Sequence, residues 1–181
     1  MIANSSCGVC GRATIEELRE DISPLPPGPQ IDVAVLRHLP QQLRGRQATF
    51  DETGGLHGAA IFSADGTLLV AAEDVGRHNA VDKVIGSSLI AEVDAGLAAD
   101  SSPRNGRDAP AVLVVSGRVA FEIVQKAWLG RIPIIVAISA PTSLAVELAR
   151  EARLTLLGFV RDRSLNIYTH ADRVGGLHAS M

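Results

Sequence analysis

The sequence predicts an α/β fold in which a mixed, largely parallel sheet is covered by helices on both faces. Three observations carry that reading. The last third alternates apolar runs with helix-like stretches: Ala111–Val115, Val119–Leu129, Pro133–Ile138, Leu144–Ala152 and Leu154–Val160. Uninterrupted apolar runs of this length suit strands buried on both faces, and the strand–helix–strand order implies right-handed crossovers. Upstream, Gly58–Phe62 and Leu68–Ala72 flank Ser63-Ala64-Asp65-Gly66, and Asp-Gly between apolar runs signals a β-hairpin. The chain of 181 residues is 46 % apolar, which gives one domain with a real core. Only 3 % is aromatic, so Val, Ile, Leu and Ala do the packing.

In chain order, residues 1–12 lack periodicity and read as a loop. Thr14-x-x-Glu17 matches a capping box and predicts a short helix over Ile15–Asp21. Ser23-Pro24-Leu25-Pro26-Pro27-Gly28-Pro29 holds neither a helix nor a central strand and reads as a connector. Residues 1–30 thus form a CxxC loop, short helix and connector ahead of an α/β domain over 31–181. Val33, Leu36, Leu39 and Leu43 recur at helical spacing, with a break or re-entry expected at Pro40. After the hairpin, Asn79 is expected to cap a helix over Val81–Val93, with Val81, Val84, Ile85, Leu89 and Val93 on one face. Residues 99–109 are polar and read as a surface loop, and Leu165–Tyr168 as a last strand.

A net charge of −3 argues against nucleic acid binding through bulk electrostatics. No stretch of 18 apolar residues exists and no signal peptide precedes the cysteines, which predicts a cytoplasmic protein with no membrane partner. The two cysteines, Cys7 and Cys10, form one CxxC. In that setting the pair points to redox, metal or sulfur chemistry rather than to a structural disulfide. They lie just before the capped helix and Arg12, and a positive helix end with a nearby cation lowers a thiol pKa. A zinc site needs four ligands, so His57, His78 or another subunit would have to complete it; no zinc is expected.

The densest polar run is Glu73-Asp74-Val75-Gly76-Arg77-His78-Asn79-Ala80-Val81-Asp82-Lys83, at a strand-to-helix junction. Open α/β sheets place ligands at such junctions. The plain alternative is an ion pair of Glu73 or Asp74 with Arg77 or Lys83, beside an Asn79 cap. Two further junctions, Ser116-Gly117-Arg118 and Ser139-Ala140-Pro141-Thr142-Ser143, offer hydroxyls and free N–H groups at helix starts. These suit a phosphate or carboxylate, or simply cap the helices. His57, after Gly54-Gly55, is either a ligand contact or a satisfied buried histidine.

The segments SSCGVCG (5–11), TGGLHGAA (53–60), EDVGRHNAVDKVIG (73–86), SGRVAFEIVQKA (116–127), SAPTSLAVELA (139–149) and TLLGFVRDRSLNIYTH (155–170) resemble, in order, the FdhD family of formate dehydrogenase accessory sulfurtransferases. The resemblance implies a three-layer αβα, cytidine-deaminase-like fold and a homodimer. It implies a carrier that moves persulfide sulfur from a cysteine desulfurase to the molybdenum cofactor of formate dehydrogenase. Cys7 would hold the persulfide and Cys10 would be the partner thiol. The cofactor, the bis-molybdopterin guanine dinucleotide form, would be bound as substrate at Val160, Arg161, Asp162, Arg163, Ser164 and Leu165, with GDP as a mimic of its guanine end. Guanidinium forks suit its phosphates, and His57, Arg77, His78, Ser116, Ser139 and Thr142 are expected to line the same site. A non-catalytic cofactor-binding chaperone is the alternative. Deaminase chemistry is not expected, because zinc deaminases use H-x-E and a later P-C-x-x-C, whereas His57 precedes Gly58-Ala59 and the CxxC comes first without a proline. The resemblance implies a further N-terminal region ahead of the CxxC loop, so this sequence is expected to be a fragment, the product of a misplaced start codon, or a shortened relative.

Overall fold

The computed structural model describes residues 23–94 and 109–177. Cys7, Cys10 and the predicted helix over Ile15–Asp21 lie outside the described residues, as does nearly all of the 99–109 loop. The elements in order are β1 (Ile31–Asp32), α1 (Val33–Arg44), α2 (Ala48–Thr53), β2 (His57–Phe62), β3 (Leu68–Asp74), α3 (Arg77–Asp94), β4 (Val112–Val115), α4 (Phe121–Leu129), β5 (Ile134–Ala137), α5 (Ser143–Glu151), β6 (Thr155–Gly158), β7 (Asn166–Thr169), a single 3-10 turn (Ala171–Arg173) and β8 (Val174–Gly175).

The main sheet has the order β3-β2-β4-β5-β6-β7. β4, β5 and β6 pair in parallel, while β2 is antiparallel to both β3 and β4, and β7 to β6. Strands β3, β4, β5 and β6 therefore point the same way and β2 and β7 oppose them. The sheet is mixed and mainly parallel in direction, as the alternating sequence predicts.

Side chains alternate across the pleat, so one strand feeds two cores. Ala59, Ile61, Leu113, Val115, Ile135, Ala137 and Leu156 pack with Val81 and Val84 of α3, Ile123 and Val124 of α4 and Leu148 of α5. Ala60, Phe62, Val112, Val114, Ile134, Val136 and Leu157 pack with Leu36, Leu39 and Leu43 of α1. Each of those three leucines is fully buried, which stabilises by about 1.5–3 kcal/mol per side chain. Three helices on one face and α1 on the other make the three layers.

Several local expectations need correction. α1 is not broken at Pro40, which lies buried inside a continuous helix. An interior proline costs about 3 kcal/mol in a helix, and burial of the flanking leucines and of the ring itself offsets that. α3 begins at Arg77 rather than at Val81, and Asn79 is inside it. Asp74 takes over the end of the strand: its Oδ1 accepts from Gly76 N at 2.9 Å and Asn79 Nδ2 at 3.1 Å. At the far end of α3, Leu89, Ile90 and Val93 are exposed rather than buried. An 18-residue helix is roughly 27 Å long, whereas the six-residue β2 beneath it spans roughly 20 Å, so its last turns run past the sheet.

Three elements were not expected. α2 has its Thr49 and Phe50 N–H groups held by the Glu73 carboxylate at 3.0 and 2.9 Å. β1 and β8 form a separate parallel pair. Next to it Arg173, 2 % exposed, donates to the carbonyls of Arg153 and Pro26 at 2.7 and 3.0 Å. That bond holds the proline-rich connector, which carries no helix or strand over 23–30. Leu25 N to Ala152 O and Trp128 Nε1 to Ser23 O fasten it further.

Candidate functional site

Strands β3, β4, β5 and β6 end at Asp74, Val115, Ala137 and Gly158, and the opposed β2 begins at His57. Topology therefore brings the polar junctions 73–78, 116–118 and 138–142 to one edge of the sheet, beside His57 and the turn 159–164. The hairpin register sets His57 directly opposite Asp74.

The loops at this edge are laced to one another. Val119 N donates to Ala140 O at 3.1 Å and Thr142 N to Val119 O at 2.9 Å. Phe159 N donates to Ser139 O at 3.2 Å and Val160 N to Ala137 O at 3.0 Å. Gly158 sits so close to the next loop that a Cβ there would meet Pro141 Cδ at 2.8 Å and Tyr168 Cε2 at 2.9 Å. Phe159 follows in the left-handed region (φ 53°), which is uncommon for a non-glycine residue. The turn presents its ring, 45 % exposed, at the same edge.

The predicted site residues divide by what already holds them. Ser116 Oγ accepts from Gly58 N at 2.9 Å, and Thr142 Oγ1 caps α5 through Ala145 N at 3.2 Å. Arg161 donates to the carbonyls of Ile138 and Val160 at 2.6 and 2.9 Å, so its guanidinium braces the β5 and β6 loops. Val160 is buried, Leu165 packs against the α1-side core, and Asp162, Arg163 and Ser164 are exposed. Ser139 holds Phe159 through its carbonyl. α4 starts at Phe121 with Ala120 as its cap residue and no side-chain cap bond, so Ser116 does not cap it.

The electrostatics centre on the start of α3. Lys83 Nζ lies 2.6 Å from Asp74 Oδ2 and also donates to Glu73 O at 3.0 Å. Asp74 is held down to about 2, first by its hydrogen bond with Lys83, then by Gly76 N–H and the Asn79 amide. Arg77 is not part of that pairing. A Cβ at Gly117 would lie 3.3 Å from His57 Nδ1 and 3.5 Å from Arg77 Cδ, so the glycine admits both side chains against the loop. His78 Nε2 stands 3.9 Å from Glu122 Oε2 of α4, too far for a direct hydrogen bond. Burial, and then the Arg77 charge, push the His78 imidazole below its ordinary pKa. Arg77 Nε, His78 Nε2 and Glu122 Oε2 are all shielded from solvent and have no hydrogen-bond partner among the described residues.

Glu122 and Phe159 are the residues at this edge that sequence reasoning missed. Glu122 is an acid in the first turn of its helix, a signal that reads as a dipole partner until the fold sets His78 against it. Among the described residues no group of three or more His, Cys, Asp and Glu side chains is placed to hold a metal ion, and no helix is long and apolar enough to cross a membrane.

Residues 1–175 match the model of the FdhD/NarQ family. The chain is 51 % identical over 173 residues to the sulfur carrier protein FdhD of Mycolicibacterium paratuberculosis, a match covering 94 % of this chain and 59 % of that one. It is 46 % identical over 179 residues to the sulfur carrier protein FdhD of Thermoplasma volcanium, covering 94 % and 57 %. Its fold is similar to a crystal structure named as that of a formate dehydrogenase accessory protein from Desulfotalea psychrophila. That match has a TM-score of 0.72 and 28 % identity, and covers 88 % of this chain and 60 % of the other. The chain thus spans less than two thirds of the length of these relatives.

Proposed function

The chain belongs to the FdhD/NarQ family, and on that premise we propose that it is a sulfur carrier serving formate dehydrogenase. Cys7 is the carrier and Cys10 its partner thiol. The observation that supports this most is that the only two cysteines form one CxxC inside the matched region of a chain about half identical to proteins named sulfur carriers. In the transfer, the Cys7 thiolate attacks the outer sulfur of a cysteine desulfurase persulfide. A new S–S bond forms on Cys7, the desulfurase S–S bond breaks, and the desulfurase leaves as thiolate. No external oxidant or reductant is needed.

The acceptor in this reading is the bis-molybdopterin guanine dinucleotide form of the molybdenum cofactor, bound as substrate at the laced edge. What supports a ligand with several phosphates at this edge is that Arg163 is exposed there and Arg77 Nε has no hydrogen-bond partner among the described residues. Arg161 and Thr142 are spent on bracing and capping, so they hold the shape of the edge rather than the ligand.

Intact-mass analysis after incubation with cysteine, pyridoxal phosphate and a desulfurase tests the carrier role. Cys7 gains one sulfur atom, and Cys7→Ala gains none. Label on Cys10 alone, or on neither, removes the role, and the protein is then a chaperone that binds the cofactor without carrying sulfur.

A further inference from the structure

Leu89, Ile90 and Val93, in the last turns of α3, are 41, 63 and 70 % exposed. A single exposed apolar side chain needs no explanation, but three within five residues of one helix make a patch that does. The patch prolongs a packed ridge. Ile85, Leu89 and Val93 recur at i, i+4 and i+8 and so share one side of α3. Ile85 packs against the core, and a Cβ at Gly130 would lie 3.3 Å from its Cγ2, which sets the end of α4 beside it. α4 stops there at Leu129, itself exposed. From Ile85 to Val93 the ridge rises ~12 Å, and along it α3 passes from half-buried to exposed.

The connector enters the domain at this same end. Trp128 Nε1 donates to Ser23 O at 2.9 Å, and Leu25 N to Ala152 O at 3.0 Å. Leu25 is buried in the core that α3 and α4 share. Residues 1–22 therefore join the described chain at the last turn of α4, about one helix spacing, ~10 Å, from the ridge. Their last stretch, Ile15-Glu16-Glu17-Leu18-Arg19-Glu20-Asp21-Ile22, has apolar residues at i, i+3 and i+7 and charged residues everywhere else. That spacing makes one apolar stripe if the capping box at Thr14 starts a helix. A helix of eight residues is marginal in water by itself, so its stripe needs a surface to lie on. Eight helical residues span ~12 Å, the length of the ridge.

We propose that the overhanging end of α3 is the docking site of this chain's own segment 15–22. Ile22 lies against Leu129, and Leu18 and Ile15 lie against Leu89, Ile90 and Val93. Cys10 precedes Thr14 by four residues, so the docked segment also holds the CxxC pair at this end of α3. The inference does not depend on Cys7 carrying sulfur.

The test is amide hydrogen exchange read by mass spectrometry on the whole chain, with sedimentation velocity across protein concentrations. Residues 15–22 should exchange about tenfold or more slowly than an unfolded peptide of the same sequence, equally in wild type and in Cys7→Ala. The double variant Leu89→Asp, Val93→Asp should return them to the unfolded rate. Both positions are exposed, so the β4 and β5 amides should keep their protection; thermal unfolding checks the fold. Leu18→Asp, on the other side of the contact, should give the same loss, and it serves if the double variant does not fold. Docking within one chain is independent of concentration, so the protection should be the same in monomer and dimer. Exchange of 15–22 at the unfolded rate in wild type overturns the proposal and needs no variant. So does protection that survives both sets of substitutions. Protection that appears only as the chain dimerises, and that Leu89→Asp, Val93→Asp removes together with the dimer, gives the patch to a second copy instead.

Discussion

Asp74 carries more of the site's local order than any other residue. One carboxylate ends β3, takes the Gly76 N–H, holds the Asn79 amide and pairs with Lys83. Its pKa is lowered from 3.8 to about 2 in the folded chain. A depressed folded pKa means that its contribution to stability is fully present above the unfolded value, near 4, and is lost as pH falls toward 2. Asp74→Asn should therefore lower the unfolding temperature at pH 6 and flatten its fall between about pH 4 and 2. Thermal unfolding across that range checks this; a variant whose profile parallels wild type would clear Asp74 of the role. The sequence already shows that acids and bases crowd this run, but not which acid takes which base. Glu73 and Asp74 are adjacent, yet alternation along β3 sends one to cap α2 and the other to Lys83.

Among the elements, β6 and its exit turn show how tightly the edge is fitted. Gly158 lies within van der Waals reach of Pro141 and Tyr168, and a methyl group there overlaps both. The proline ring and the strand-borne tyrosine have little freedom to retreat, so Gly158→Ala should destabilise the chain by about 1–3 kcal/mol, as overpacking does. Urea denaturation measures it, and a loss below about 0.5 kcal/mol, the usual range of surface substitutions, would mean that the two loops can separate. The buried strands were legible because residues such as Val112–Val115 and Ile134–Ala137 are apolar on both faces. The helix boundaries were less so. Pro40 reads as a break by local chemistry, but the burial of Leu36, Leu39 and Leu43 outweighs it. α2 was illegible because its first turn is held by Glu73, a residue of a later strand.

For the whole molecule, chain order and apolar pattern give the layers, and distance in sequence limits the rest. β1 and β8 are separated by nearly the entire described chain, and Arg173 finds Pro26 across the same gap; no short-range pattern announces either contact. The candidate edge was half legible. Its junctions read as ligand-facing from composition, while the roles of Arg161 as brace and Glu122 as an unpaired acid depend on loops meeting in space. Those loops are fastened through each other's backbone carbonyls rather than through their tips, so the edge opens and closes as one cooperative unit. Amide hydrogen exchange reads that cooperativity directly. The amides of Val119, Thr142, Phe159 and Val160 should exchange at a common rate, and a ligand touching any one loop should slow all four in step. Protection confined to the loop in contact would show three independent segments. A common response means that contact at one loop is felt as stiffness at the Phe159 turn without any rearrangement of the fold.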